Sequence, residues 1–187
     1  MAKAVLISIR PEWVEKIANG EKTIEVRKTR PKLETSFKVY IYCTNQKNIM
    51  LWNARSYIYV DDHNHNAFDK CWNGSVVGEF VCDRIDTINP ETEPYGIYDV
   101  DDDFVAETGL AGGALWDYGK GATLYGWHIS DLKIYGKPRE LREFKKINRD
   151  CFYAEIGIAK RDCPDCKNSG CFLQRPPQSW RYVEELK

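Results

Sequence analysis

Apolar and polar positions alternate along much of this chain, and the period of the alternation changes from segment to segment. Between Ala4 and Ile9, Val5, Ile7 and Ile9 recur at every second position, the spacing of a strand. Arg10-Pro11 ends that run. Trp13, Val14 and Ile17 then form an apolar stripe of helical spacing, with Pro11 suited to the first turn and Asn19-Gly20 to a left-handed close. Lys22 to Arg27 (KTIEVR) returns to period 2 and is rich in β-branched residues, so it predicts a strand. Phe37 to Thr44 (FKVYIYCT) predicts another. Gly74 to Ile88 and Thr123 to Tyr135 predict two long strands, with Gly78 marking a bulge or kink in the first. Residues 45–73 mix aromatic residues with an Asp/His/Asn-rich stretch, the pattern of an insertion holding a partial hairpin. Asn89 to Asp103 reads as loop. Asp101 or Asp102 then caps a short helix stopped by Gly109, and Gly112-Gly113 opens a further turn through Trp116. Arg139 to Arg149 is basic and is expected to be helical.

Few helices among several hydrophobic strands predict an α+β, mainly β fold: a small closed β-barrel with peripheral short helices. A chain of 187 residues has room for one such domain. We place it at residues 1–149, including the insertion at about 45–73. Residues 150–187 form a cysteine-containing C-terminal extension expected to pack on it through Trp180, with Pro176-Pro177 extended. A hydrophobic share of 43% excludes a wholly disordered chain. No apolar run is long enough to span a bilayer, and Arg10 and Glu12 follow the first apolar run too closely for a signal peptide. The expectation is a cytoplasmic protein without membrane contact.

The net charge of −1 conceals a strong asymmetry. Residues 1–40 carry 9 basic and 5 acidic side chains, and residues 41–60 carry 2 basic and none acidic. Residues 61–135 carry 4 basic and 15 acidic, whereas residues 136–187 carry 12 and 8. This suits a basic face for a polyanion beside an acidic lobe, and equally a set of acidic solvated loops.

Seven cysteines, an odd number, speak against a secreted disulfide framework. Cys43 and Cys82 lie in apolar strands and read as small buried hydrophobes. Cys163-Pro164-Asp165-Cys166 with Cys171 has the tight spacing of a thiolate metal site, with Cys151 as the leading fourth ligand for a structural zinc. Cys71 with His63 or His65 is another source of that ligand. A redox pair and a set of free thiols are the other readings of the same spacing.

The segment Gly20-Glu21-Lys22-Thr23-Ile24-Glu25-Val26-Arg27 resembles the G-x-K-x-x-E-x-R signature of the ASCH (activating signal cointegrator homology) family, within the PUA-like superfamily. Ile9-Arg10-Pro11-Glu12-Trp13, Val77-Gly78-Glu79-Phe80 and Tyr125-Gly126-Trp127-His128-Ile129 are similar to its flanking segments, so the likeness runs from about residue 4 to about residue 144. The resemblance implies a β-barrel related to RNA-binding domains, with the motif lining a cleft. It also implies an enzymatic alternative, because one bacterial branch is an acetylcytidine amidohydrolase with a G-x-K-x-x-T motif. Here Lys22 matches that branch, but Glu25 stands where its hydroxyl would be, and a carboxylate does not replace that nucleophile.

The residues themselves constrain the geometry. In an ideal strand Lys22 shares a face with Ile24, while Glu25 lies with Thr23 and Arg27. Lys22 meets Glu25 only if it projects from a turn after Gly20. Given that turn, Lys supplies a point charge and Arg a planar fork for phosphate. The expected function is binding of RNA or of a nucleoside or nucleotide ligand in a cleft built from Arg10, Lys22, Glu25 and Arg27, with Trp116 as a stacking platform. The alternatives are a hydrolase of modified nucleosides or a ribonuclease using Lys22 and Glu25 as catalytic acid–base residues, and a non-catalytic protein-interaction module using the acidic lobe. A lone strand histidine such as His128 is read as structural.

Overall fold

The computed structural model describes residues 2–60, 71–91, 97–110, 113–147 and 171–186. The chain opens with β1 (Lys3–Ile9), whose residues Ala4 to Ile9 are all buried, and turns into helix α1 (Pro11–Ala18). Strands β2 (Ile24–Arg27) and β3 (Phe37–Cys43) follow, then the hairpin β4 (Ile49–Trp52) and β5 (Ser56–Tyr59), which realises the hairpin read within the insertion. After them come β6 (Val76–Cys82), β7 (Ile85–Ile88), the short pair β8 (Pro90–Glu91) and β9 (Ile97–Tyr98), and helices α2 (Asp102–Thr108) and α3 (Ala114–Gly119). Strands β10 (Leu124–His128), β11 (Ser130–Arg139) and β12 (Trp180–Glu184) complete the order.

Each of the two long strands expected from the sequence is two strands. The break falls at Asp83–Arg84 in one and at Ile129 in the other, where the chain leaves one sheet for another. Strands β11-β6-β3-β1-β12 form a five-stranded sheet, parallel only between β1 and β3, and β2-β10-β7 form an antiparallel three-stranded sheet. Gly78 lies beside the irregularity of β6: the β3–β6 register shifts between Ile41 and Tyr42. A Cβ on Gly78 would stand 2.7 Å from the Lys133 carbonyl, too close for any other residue. Among the described residues, the basic stretch after β11 forms only a 3-10 turn at Leu141–Glu143, closed by reciprocal bonds between Glu140 and Glu143, rather than the helix expected there.

The two sheets face one another. Directly paired residues share a face, so Glu25, Arg27, Tyr125, Trp127 and Ile85 lie on one side of the small sheet. That side packs Trp127 (0% exposed) into the core of Val5, Ile7, Val39, Ile41 and Phe80. The opposite side, carrying Ile24, Val26, Ile88 and Leu124, is covered by α2 and α3 through Phe104, Val105 and Leu115. Cys43 and Cys82 are buried in the main core, where desolvation pushes the Cys82 thiol up to about 12 and that of Cys43 higher still.

The expected barrel is not closed. Among the described residues no strand pairing joins β2 to β1 or β12, and the seam between them is bridged by side chains. Arg27 Nη2 donates to the Ser8 carbonyl at 2.7 Å, and Trp180 Nε1 donates to Thr29 Oγ1 at 3.0 Å. Strand closure is blocked on the β1 side because the Ser8 amide already donates to the Ser179 carbonyl at 2.8 Å. Pro177 also accepts from Ser8 Oγ at 2.6 Å, and Trp180 packs against Trp127 and Tyr182.

Candidate functional site

The open seam is a cavity of about 490 Å³. Ser8, Ile9 and Arg10 line it from β1 and the start of α1, Glu25 and Arg27 from β2, Gln178 and Ser179 from the segment before β12, and Tyr118 from α3.

The end of α1 sets the position of Lys22 in its wall. Gly20, at φ 78°, closes the helix in the left-handed conformation; the Gly20 amide donates to the Ile17 carbonyl at 3.1 Å and the Glu21 amide to that of Lys16 at 2.9 Å. These are the two bonds of a Schellman motif. A Cβ at Gly20 would touch nothing within 4 Å, so the demand for glycine is purely one of backbone angle. The turn leaves Lys22 two residues ahead of β2, outside regular pleating. The Thr23 amide is then tied to the Glu107 carbonyl at 2.9 Å.

From that position Lys22, 3% exposed, reaches over to the face of Glu25. Its Nζ donates to the carbonyls of Ile24 and Thr108, both at 2.7 Å, and pairs with Glu25 Oε2 at 3.3 Å. Thr108 ends α2, and the negative end of the helix dipole suits a cation there. Arg27 Nη2 lies 2.8 Å from Glu25 Oε1, while Arg27 Nε is buried without a hydrogen-bond partner. Burial holds the Lys22 ammonium below the ordinary lysine value, against the opposing attraction of Glu25. The Lys22 Nζ also stands 5.5 Å from the centre of the Trp13 ring. Desolvation raises the Tyr118 phenol, which also feels the charges of Arg27 and Glu25.

The structure therefore brings together Arg10, Lys22, Glu25 and Arg27 around one cavity. Trp116 is not on its lining: it is half-buried and packs its ring against Tyr98, 5.8 Å between centres, and the aromatic at the cavity from that helix is Tyr118. A helix of six residues following two glycines is too short for its apolar pattern to choose between them. Gln178 and Ser179 carried no signal in the sequence beyond lying next to Trp180. His128 lies on the other face of the small sheet, with Nε2 2.6 Å from Asp86 Oδ2. Cys151, Cys163, Cys166, His63 and His65 lie outside the described residues, and Cys171 is buried. Among the described residues no cluster of three or more His, Cys, Asp or Glu side chains could hold a metal.

The ASCH domain model matches residues 7–101, just over half of the chain and including the whole Gly20–Arg27 motif. The chain belongs to the ASCH domain family. That family is PUA-like and associated with RNA binding. The solved ASCH protein of Zymomonas mobilis is similar in structure, with 18% identity, a TM-score of 0.55, and coverage of 97% of this chain and 88% of that one. A tyrosine-to-phenylalanine mutant of the same protein matches at 18% identity and 0.56, covering 98% and 92% of the two chains. A serine-to-alanine mutant matches at 17% and 0.55, covering 97% and 89%. At this identity the likeness speaks to the fold. No curated protein matches significantly.

Proposed function

We propose that this ASCH domain binds one unpaired nucleotide of RNA, or a nucleotide-like ligand, in the seam cavity. The observation that carries the reading is a cavity of ligand size with a buried, fixed set of charges in its wall. Glu25 accepts only, and its contacts with Lys22 and Arg27 leave lone-pair capacity on both oxygens. A carboxylate held this way suits a base edge that presents imino and amino hydrogens side by side, as guanine does with N1–H and N2–H, over edges that offer a single donor. Arg10 is exposed at the mouth and suits the phosphate, while Trp13 and Tyr118 offer ring faces.

Titration calorimetry with the four 5′-mononucleotides tests this. Guanosine monophosphate is expected to bind best, Glu25→Gln to weaken it by about tenfold, and Arg10→Ala to weaken all four alike. Equal, Glu25-independent affinity for every base would overturn the reading.

A hydrolase or ribonuclease on the same cavity is favoured by one observation, the lowered proton affinity of buried Lys22 beside Glu25. Against immediate proton transfer, all three Lys22 hydrogens are engaged, two on carbonyls and one toward Glu25. Turnover of an acylated nucleoside or RNA by the wild type, absent in Lys22→Met, is the result that would select this reading.

A further inference from the structure

Immediately after the motif the chain runs Lys28-Thr29-Arg30-Pro31-Lys32-Leu33, with three cations and no acid. All three cations are exposed, and none forms an ion pair among the described residues. The loop is nevertheless fixed. Thr29 accepts from Trp180 Nε1 at 3.0 Å, the Lys32 amide donates to Tyr182 Oη at 2.7 Å, and Pro31 is buried. Two of the cations sit over aromatic rings: Lys28 Nζ lies 5.1 Å from the centre of Tyr118, and the Arg30 guanidinium 5.8 Å from that of Tyr125. Together with Tyr125 the loop lines a second cavity of about 530 Å³. Tyr118 belongs to the first cavity and Lys28 to the second, so their contact is the point where the two meet.

We propose that this loop is a flanking subsite for single-stranded RNA, so that the ligand of the domain is a strand rather than a free nucleotide. The inference rests on the cavity reading above and extends it outward. Lys28, Arg30 and Lys32 hold successive phosphates. The base following the one in the cavity stacks at the Arg30–Tyr125 pair, where a guanidinium already lies 5.8 Å from a ring centre. An acidic polypeptide would use the same charges but gains nothing from the ring pairs or from the continuity with the first cavity, and a duplex would not present a free base to either.

The test measures anisotropy of a labelled, unstructured RNA of about eight nucleotides, a length that reaches past one cavity. Wild type is compared with the exposed-site variant Lys28→Ser/Arg30→Ser/Lys32→Ser, and cytidine and guanosine monophosphates are titrated in parallel. The variant is expected to lose about tenfold or more in RNA affinity near 0.1 M salt. Its slope of log affinity on log salt should be shallower by about 2, three contacts at roughly 0.7 each, while mononucleotide affinity is unchanged. Equal losses for RNA and mononucleotide, or none for RNA, overturn the proposal. So does polyglutamate competing as well as unlabelled RNA. If no mononucleotide binds and Glu25→Gln leaves RNA binding intact, but the triple variant still weakens it, the cavity reading falls and the flanking subsite stands.

Discussion

The small sheet carries a charged triad on each of its faces, and the two behave as opposites. On the side turned toward the large sheet, Lys22, Glu25 and Arg27 are 3%, 9% and 12% exposed in their side chains. On the other, Arg84, Asp86 and His128 are 64%, 35% and 16% exposed. Both contain a carboxylate held by two basic groups within hydrogen-bonding distance: Glu25 by Lys22 and Arg27, Asp86 by Arg84 at 3.2 Å and His128 at 2.6 Å. The difference is what lies behind them. Removing Asp86 leaves Arg84 in water, whereas removing Glu25 leaves two almost fully enclosed cations without their carboxylate. Burial at such a cost calls for a reason other than stability, and ligand binding in the adjoining cavity, as proposed above, would be one.

The sharpest way to break this contrast is Glu25→Ala. With two cations left uncompensated, unfolding by urea should show a loss of about 3 to 5 kcal/mol, and a loss below about 1 kcal/mol would mean that the pair is solvated after all. A smaller effect follows from the proton affinity of Lys22. A lysine held below its ordinary value in the folded state binds its proton less tightly than in the unfolded chain. The unfolded chain therefore carries the extra proton between the lowered value and the ordinary one. Stability should rise with pH across that alkaline window and fall as pH drops through it, and Lys22→Met should abolish that part of the profile. Smallest of all is Asp86→Asn, expected to change unfolding free energy by less than about 1 kcal/mol and to leave mononucleotide binding untouched. A large loss there would place both triads in the same class.

Much of this was written locally. Pro11, the Val14/Ile17 stripe and Asn19-Gly20 specify α1 and its close, and from that close follows the requirement that Lys22 come off a turn to meet Glu25. The motif is legible because its geometry is set within eight residues. The Asp101 cap, accepting from the Phe104 amide at 2.7 Å, and Gly109 at φ 65° bound α2 for the same reason. What escaped the sequence depends on distant chain. Nothing in the run Val76 to Ile88 says that it changes sheets at Asp83, since both halves are apolar enough to be strand. The open seam arises because Ser8 spends its amide on Ser179, 171 positions away, and no local pattern encodes that bond. The Lys28–Lys32 loop carries no periodic pattern, and the meeting of its cations with Tyr118 and Tyr125 depends on chain about 90 positions away.

The bond from Ser8 to Ser179 also sets an order of events during synthesis. Strands β1 and β3, helix α1 and the motif itself emerge early, yet one wall of the cavity is made of Gln178 and Ser179, and the loop beside it is fastened by Trp180 and Tyr182. A ribosome-bound chain that has folded its first strands still lacks a finished pocket. If the cavity is the RNA site proposed above, that site is complete only once β12 has docked on β1.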